Sequence, residues 1–414
     1  MSFAVGSLGG KVKLHEGVDN WAGLDYLVDT DPHVTLPAGE WFISRGLNIS
    51  GTLQGQGVTQ TTLRQTGSHG SPTIGAGGNG RWAGSEGHMP VDGVRIFGLT
   101  VWQDDHSAPG NSSAIFINDE CNDIIVRNVR VQNSAYEGIV VGALCGDVLI
   151  ENFEAFDCGG GSALDTRARA GINAVSHDTI IQDFVVRGCG QGVEAGYSDV
   201  VIRRGLVTEP DGAMPSYGLN IGSHSCGVYN LSIDRVKVNG YENSAVIGNV
   251  LGRLARVIVT ACEFDGCVTF YGGKHDNNIP TAEQGPDTYG SEFVGNTWYV
   301  RTPNAGPFVY YGGTVDDGGL YGREPLLLQS NKVYYGGGWR PNPPTWGFAG
   351  KIPASIEMRD NVEFGLDLGP ERGSIASFTL QANPAIPGMP NLVLRNNWGH
   401  KADGSFRGLI VMRE

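Results

Sequence analysis

Short apolar stretches with period-two alternation recur along the chain and fall into two strand types. The first type follows a polar turn and reads NDIIVRNVRV from 122, GDVLIENFEA from 146, HDTIIQDFVV from 177 and SDVVIRRGLV from 198. The second type comes after the next turn and reads EGIVV from 137, AGINA from 170, QGVEA from 191, YGLNI from 217 and NSAVI from 243. This alternation predicts strands with one buried face.

The spacing of the repeat predicts a stacked architecture. Equivalent positions 138, 171, 192, 218 and 244 are separated by 33, 21, 26 and 26 residues, so the longer coils carry insertions in their turns. In such repeats each coil buries its apolar face against its neighbours. Strands of successive coils would pair in parallel at about 4.8 Å. We therefore expect an all-β, single-domain right-handed parallel β-helix.

The predicted domain covers residues 1–414. It comprises an N-terminal cap and first coils over 1–60, regular coils over 61–280, and irregular C-terminal coils over 281–414. A short capping helix is expected at Asn20–Val28, and long loops rich in Gly, Pro and aromatic residues at 302–324 and 334–351. The 64 glycines, with 40% hydrophobic and 17% charged residues, indicate a folded, turn-rich chain.

Charge and cysteine spacing narrow the possible partners. A formal charge of -14 opposes binding to phosphate backbones and anionic membranes, so neither nucleic acid nor membrane is expected. The seven cysteines lack zinc spacing and are expected to be mostly buried thiols, with no metal or cofactor. No signal-peptide pattern opens the sequence, and no apolar stretch reaches the roughly 18 residues of a membrane span.

The second strand type predicts a column of outward side chains. Its inward positions are Ile139, Ile172, Val193, Leu219 and Ala245, followed by Val141, Ala174, Ala195, Ile221 and Ile247. The residues between them are Val140, Asn173, Glu194, Asn220 and Val246, and glycine columns at 138, 171, 192, 218 and 142, 196, 222, 248 flank them. Polar side chains between glycines predict a shallow trough for a flat sugar chain. The alternative is that the glycines serve turns and the polar side chains are merely solvated.

Catalytic candidates lie beside this column. The insertions at 159–169 and 209–216 precede two of the strands and would bring Asp165 and Asp211 near Glu194. Glycoside hydrolysis uses two carboxyl groups about 5–9.5 Å apart, which Glu194 with either aspartate would provide. Glu137 is predicted to lie too far from Glu194, because two coils separate them.

Binding candidates complete the predicted site. Asn173, Asn220 and Gln191 are expected to contact substrate, together with the side chains offered by the insertions and the following strand, namely Arg167, Arg169, Tyr217 and His224. A lyase or epimerase would instead abstract a proton beside a uronate carboxyl, for which the same Arg, Tyr and His side chains are suited. Solvated loop charges are the alternative interpretation of the two arginines.

Two stretches resemble known β-helix proteins. Residues 33–57, with LPAG from 36, resemble the opening of pectate-lyase-like β-helix proteins, including many phage tailspikes. Residues 170–238 resemble the middle of family 28 polygalacturonases, whose Asn-Thr-Asp, paired-aspartate and Gly-His-Gly strands are similar to AGINA from 170, GQGVEA from 190 and YGLNIGS from 217. The catalytic residues of that family are absent, because Ala170, Gly190 and Gln191 stand in place of the acids and Tyr217 stands in place of the histidine. The resemblance implies the architecture without polygalacturonase activity.

Together these observations predict a protein that binds a polysaccharide or oligosaccharide and cleaves it by acid/base glycoside hydrolysis. Two alternatives stay open: a polysaccharide lyase or epimerase, and a non-catalytic phage tail or adhesin protein. The tailspike-like opening favours an extracellular or virion-associated protein, for which a homotrimer is one possible assembly.

Overall fold

The computed structural model consists mostly of β-strands. It describes residues 2–5, 12–66, 71–77, 90–104, 113–159, 169–196, 199–208, 217–222, 227–241, 243–247, 253–265, 267–271, 290–300, 309–312, 320–321, 326–335, 346–349, 352–353, 355–364, 378–381, 391–400, 406–408 and 411–413. Two compact units are present, Met1–Ala195 with Gly205–Ser216, and Gly196–Arg204 with Tyr217–Glu414. One domain over the whole chain stays a prediction.

The first unit contains one described helix and sixteen described strands. They are α1 (Trp21–Thr30), β1 (Ser2–Val5), β2 (Val12–His15), β3 (His33–Thr35), β4 (Gly39–Ile43), β5 (Leu47–Ile49), β6 (Thr52–Gln54), β7 (Thr61–Gln65), β8 (Ile74–Ala76), β9 (Arg95–Gln103), β10 (Ile115–Ile117), β11 (Asn122–Gln132), β12 (Ile139–Val141), β13 (Gly146–Phe156), β14 (Ala170–Ala174), β15 (Thr179–Arg187) and β16 (Gln191–Ala195). Strand β17 (Val200–Thr208) has residues in both units.

The described strands of the second unit follow in chain order. They are β18 (Tyr217–Ile221), β19 (Gly227–Asn239), β20 (Asn243–Ile247), β21 (Arg253–Thr260), β22 (Glu263–Asp265), β23 (Cys267–Tyr271), β24 (Glu292–Val294), β25 (Thr297–Val300), β26 (Val309–Gly312), β27 (Leu320–Tyr321), β28 (Leu326–Gln329), β29 (Lys332–Tyr335), β30 (Trp346–Ala349), β31 (Ile352–Pro353), β32 (Ser355–Arg359), β33 (Val362–Phe364), β34 (Phe378–Gln381), β35 (Asn391–Arg395), β36 (Trp398–His400), β37 (Phe406–Gly408) and β38 (Val411–Arg413). Three of them, β26, β27 and β30, lie within segments predicted to be long loops.

Helix α1 lies close to its predicted position. It begins at Trp21, one residue after the predicted start, because Asn20 occupies the N-cap position and its side chain turns back to bond both the N–H and the carbonyl of His15. The helix ends at Thr30, two residues later than predicted, and buries Leu24, Leu27 and Val28.

A stacked bend divides the long strands of the first unit into two faces. Asn128 has φ 53°, and the equivalent residues Asn152 and Asp183 have φ 49° and 53°. Asn128 and Asn152 are in register, because the residues on either side of them pair: Arg127 with Glu151, and Val129 with Phe153 on the next coil. Asn and Asp adopt this left-handed conformation at less cost than other side chains. Each long strand therefore turns at the same height in its coil.

The short strands form a third, entirely parallel face. In the first unit β5, β8, β10, β12, β14 and β16 pair in sequence, with Ile115 beside Ile139, Ile139 beside Ile172 and Ile172 beside Val193. In the second unit β18, β20 and β23 pair in the same way. All ten residues predicted to face inward from the second strand type are fully buried. The predicted period-two pattern is confirmed.

Buried polar side chains bond one another at the corner between the second and third faces of the first unit. Thr73 Oγ1 donates to Gln65 Oε1 at 2.8 Å, and Gln103 Nε2 donates to both at 3.2 Å. Gln103 Nε2 also reaches the carbonyl of Ser113, whose hydroxyl donates to Glu137 Oε2 at 3.1 Å. We call Gln65, Thr73, Gln103, Ser113 and Glu137 the corner ladder. Buried polar groups are tolerated when bonded in this way.

The second unit carries an asparagine ladder. Asn296, Asn331, Asn361 and Asn397 follow residues with positive φ, and each side-chain Nδ2 donates to a backbone carbonyl of the preceding coil at 2.8–2.9 Å. Each Oδ1 of the last three accepts the Nδ2 of the asparagine before it. The stacked rings of Tyr299, Tyr334 and Phe364 occupy nearby rungs, with centroids 5.3 and 4.7 Å apart.

Candidate functional site

The outward residues of the third face align into one column in the first unit. The column consists of Asn48, Gly75, Phe116, Val140, Asn173 and Glu194, each paired in register with the next. Asn173 and Val140 are half-buried, whereas Glu194 is only 5% exposed. The alignment matches the prediction, but an open trough at Glu194 does not.

The flanking glycines allow close packing and do not form an empty lane. A Cβ on Gly171 would lie 2.4 Å from Val186 Cγ1, and a Cβ on Gly138 would lie 2.4 Å from the carbonyl oxygen of Gly171. A Cβ on Gly142 would lie 2.2 Å from Asp119 Oδ1. The prediction of a sugar-accessible glycine lane is therefore wrong at these three positions, because neighbouring atoms already fill the space.

A buried acid lies beside this column. Glu137 is 3% exposed, its Oε1 lies 3.5 Å from Arg169 Nη1, and its Oε2 accepts the Ser113 hydroxyl. The guanidinium of Arg169 also stacks on the ring of Tyr136, with Cζ 3.3 Å from the ring centroid. Arg169 thus bridges an anion and an aromatic face, both of which favour its positive charge.

Electrostatics links this group to Glu194. Burial and, to a smaller extent, the charge of Glu194 raise the pKa of Glu137 from 4.5 to about 7, against the lowering effects of Arg169 and of the hydrogen bond from Ser113. Burial and the charges of Glu137 and Glu194 also raise the pKa of Tyr136. Glu194 therefore lies within electrostatic range of both side chains. We call Tyr136, Glu137, Arg169, Asn173 and Glu194 the acid cluster.

Two buried polar atoms of the acid cluster have no hydrogen-bond partner among the described residues. They are Arg169 Nε, a donor, and Asn173 Oδ1, an acceptor. Buried polar atoms normally find partners, and an unused one calls for an explanation such as a bound ligand. The acid cluster therefore holds one unused donor, on Arg169, and one unused acceptor, on Asn173.

The structure describes only part of the predicted site. Asp165, Arg167, Asp211 and His224 lie outside the described residues. Tyr217 and Asn220 are on β18 of the second unit, where Asn220 pairs with Val246. Gln191 is buried at the start of β16, in register with Ala170, and its backbone N–H donates to the carbonyl of Arg169 at 2.8 Å.

Sequence reasoning missed Tyr136 and set Glu137 aside. Coil counting put Glu137 too far from Glu194 to serve as its partner in hydrolysis, and this stays a prediction. The charge of Glu194 nevertheless raises the pKa of Glu137. The available signal was the period-two rule, since Glu137 stands two residues before the inward Ile139 and must share its side of the strand. An acid at an inward position indicates a perturbed group.

Two other kinds of site are missing from the described part of the chain. No group of three or more His, Cys, Asp or Glu residues is arranged there to hold a metal ion. None of its helices combines the length and apolar character needed to cross a bilayer.

Comparison with known proteins relates the chain to solved structures only. No protein-family model matches it, and neither does any curated protein. Among solved structures, PfbA, a surface adhesin of Streptococcus pneumoniae, has a TM-score of 0.56 at 12% identity, covering 93% of this chain and 87% of PfbA.

Two structures of the tailspike protein of E. coli bacteriophage HK620 in complex with pentasaccharide are also similar. A point mutant of the tailspike has a TM-score of 0.54 at 13% identity, and the unsubstituted protein 0.52 at 14%; each alignment covers 94% of this chain and 78% of the tailspike. At such low identity the similarity concerns the fold alone. Together with the parallel strand registers, it shows that this chain is a right-handed parallel β-helix protein, as the sequence predicted.

Proposed function

We propose that the chain binds a polysaccharide or oligosaccharide at the acid cluster of its first unit and cleaves it by acid/base glycoside hydrolysis. The observation that carries this proposal is the register pair Asn173–Glu194, which places a carboxyl beside a buried amide oxygen unused by the described residues. Sugars present several hydroxyl donors on one ring, and such a donor fits Asn173 Oδ1. Glu194 lies next to the sugar bound in this way.

The fold supports a glycan partner by analogy. One structural neighbour is a tailspike in complex with a pentasaccharide and another is a surface adhesin. Fold does not fix function, so the analogy only adds weight to the chemistry of the site. It also supports an extracellular or virion-associated location. The homotrimer is a separate proposal, for which light scattering should give three times the 44.0 kDa chain mass.

In the proposed reaction Glu194 protonates the leaving glycosidic oxygen. A second carboxyl, from Asp165 or Asp211, acts as base or nucleophile. Arg169 and Gln191 orient the sugar beside Asn173, and Arg167 is a further proposed contact. Arg169 also stabilises negative charge on the substrate. If the substrate is a uronate, the same arginine would neutralise its carboxylate and favour a lyase or epimerase reaction.

A non-catalytic glycan-binding protein is the second candidate. The low exposure of Glu194 favours it, because a general acid must reach the glycosidic oxygen of its substrate. In that case Arg169 and Asn173 bind the glycan while Glu194 only sets the local charge.

A polysaccharide panel separates these functions. The protein is incubated with each polymer while new reducing ends and the absorbance of unsaturated uronates are followed. Reducing ends alone indicate hydrolysis, both signals together indicate a lyase, and binding without either indicates the non-catalytic protein. No binding to any polymer would contradict the proposed function.

Variants test the site assignment. Glu194→Gln should lower the rate of reducing-end release by at least about 100-fold with little loss of binding, since proton transfer typically contributes that much. Asn173→Ala should weaken binding by about tenfold, the value of one buried hydrogen bond. The control is Glu154→Gln, which removes an ion pair to Arg130 on another face. Full turnover in Glu194→Gln would show that the catalytic assignment is wrong.

A further inference from the structure

Four of the buried cysteines lie in consecutive coils of the first unit as two stacked pairs. The register that pairs Asn122 with Gly146 places Cys121 directly beside Cys145. Past the ends of β13 and β15, the pairing of Phe156 with Arg187 continues through the hydrogen bond from Asp157 N–H to the Arg187 carbonyl. Cys158 is thereby placed beside Cys189.

Each pair brings its two thiols into contact. A hydrogen bond to Cys121, together with burial, raises the pKa of Cys145 well above its usual range. A hydrogen bond to Cys189 and burial do the same for Cys158. All four side chains are at most 1% exposed.

The stacking distance suits a covalent bridge. Adjacent parallel rungs lie about 4.8 Å apart, within the roughly 4.4–6.8 Å separation of Cα atoms that a disulfide spans. The four cysteines lie just outside the regular strands, before β11 and β13 and after β13 and β15, so their backbone can adjust.

Cys262 provides an internal contrast. Its register neighbours are Val236 and Asn296, since Glu263 pairs with Lys237 on one side and Thr297 on the other. It is equally buried, and burial raises its pKa to about 12. Burial alone therefore does not create the pairing.

We propose that Cys121–Cys145 and Cys158–Cys189 are oxidation sites that form two disulfides between consecutive coils when the chain folds in an oxidising environment. In each pair the two thiols lose two protons and two electrons to a small disulfide such as oxidised glutathione, which leaves as two thiols. The disulfides form while the chain folds, because in the folded protein burial excludes the oxidant and disfavours the reactive thiolate form of the cysteines. Once formed, the bridges are shielded from reductants by the same burial.

Refolding in a glutathione redox buffer tests this proposal. The reduced protein is unfolded, refolded with reduced and oxidised glutathione, alkylated under denaturing conditions and digested without reduction. We expect peptides linked 121–145 and 158–189, alkylated Cys262, and a fall in titratable thiols from seven to three. Refolded protein that keeps seven titratable thiols, or whose links join other cysteines, would overturn the proposal.

Variants separate pairing from general reactivity. Cys145→Ser should leave Cys121 as a free thiol while the 158–189 link still forms, and Cys262→Ser should change neither link. The oxidised protein should unfold several degrees above the reduced one, because each bridge closes a loop of 24 or 31 residues. Equal midpoints for the two forms would contradict the proposed constraint.

Discussion

Replacing Glu137 by glutamine should change stability in a strongly pH-dependent way. Burial raises the pKa of Glu137 from 4.5 to about 7. The folded protein therefore binds this proton more tightly than the unfolded chain does. The stabilisation from protonation is complete below pH 4.5 and is lost as the pH rises through about 7.

The magnitude follows from the size of the pKa change. Each pKa unit corresponds to about 1.4 kcal/mol, so ionising Glu137 in the folded protein costs about 3 kcal/mol. The side chain is 3% exposed, so water screens little of this cost. Glutamine retains the shape and the bonding to Ser113 but cannot ionise. The difference in the free energy of unfolding between Glu137→Gln and wild type should therefore shift in favour of the variant by about 2–3 kcal/mol between about pH 5 and about pH 8.5.

Denaturant unfolding of both proteins at the two pH values measures this difference directly. At each pH the free energy of unfolding of the variant is compared with that of wild type, so the contributions of the other titrating groups cancel. Glu154→Gln serves as the control, because its half-exposed ion pair with Arg130 should contribute little. A Glu137→Gln effect of the same size at both pH values would refute the reasoning.

Two further substitutions test the packing. Asn331→Ala should lower the free energy of unfolding by about 2–4 kcal/mol in denaturant titration, because it leaves several buried hydrogen-bonding groups of the asparagine ladder unpaired; a loss below about 1 kcal/mol would contradict this. Gly171→Ala should cost about 1–3 kcal/mol by collision with Val186. Its control, Gly75→Ala on the same face, meets no atom closer than 3.6 Å and should be tolerated, so equal effects would count against the packing argument.

The sequence predicted the parts of the fold that depend on local alternation. Ile139, Ile172 and Val193 were assigned inward positions from period two, and all are fully buried. The bend at Asn128 was not predicted. In an alternating strand an asparagine that bends the backbone cannot be distinguished by sequence from a polar residue that simply faces outward. The asparagine ladder was missed for a related reason, since Asn331 is buried only because its neighbours in other coils bond it.

The site was harder to predict than the fold. Its column was correctly aligned through Asn173 and Glu194, but the burial of Glu194 depends on side chains from other coils. The role of Glu137 depends on Arg169 and Tyr136 reaching the same point, which spacing along one strand does not indicate. The orientation of a side chain follows from its position along its own strand. Its exposure and its electrostatic environment depend on residues that other coils bring next to it.

The corner ladder has a consequence for how the coils find their partners. The interior columns are Ile, Val, Leu or Ala at nearly every level, so apolar packing alone would permit a strand to slip by a whole coil. Gln65 and Gln103 are equivalent in register, but the other members of the corner ladder, Thr73, Ser113 and Glu137, differ in type, and each member bonds to a specific neighbour. A slipped stack would leave several of them buried without partners, at a cost of about 1–3 kcal/mol each. The hydrogen-bonded corner therefore selects a single alignment of coils that are otherwise nearly interchangeable.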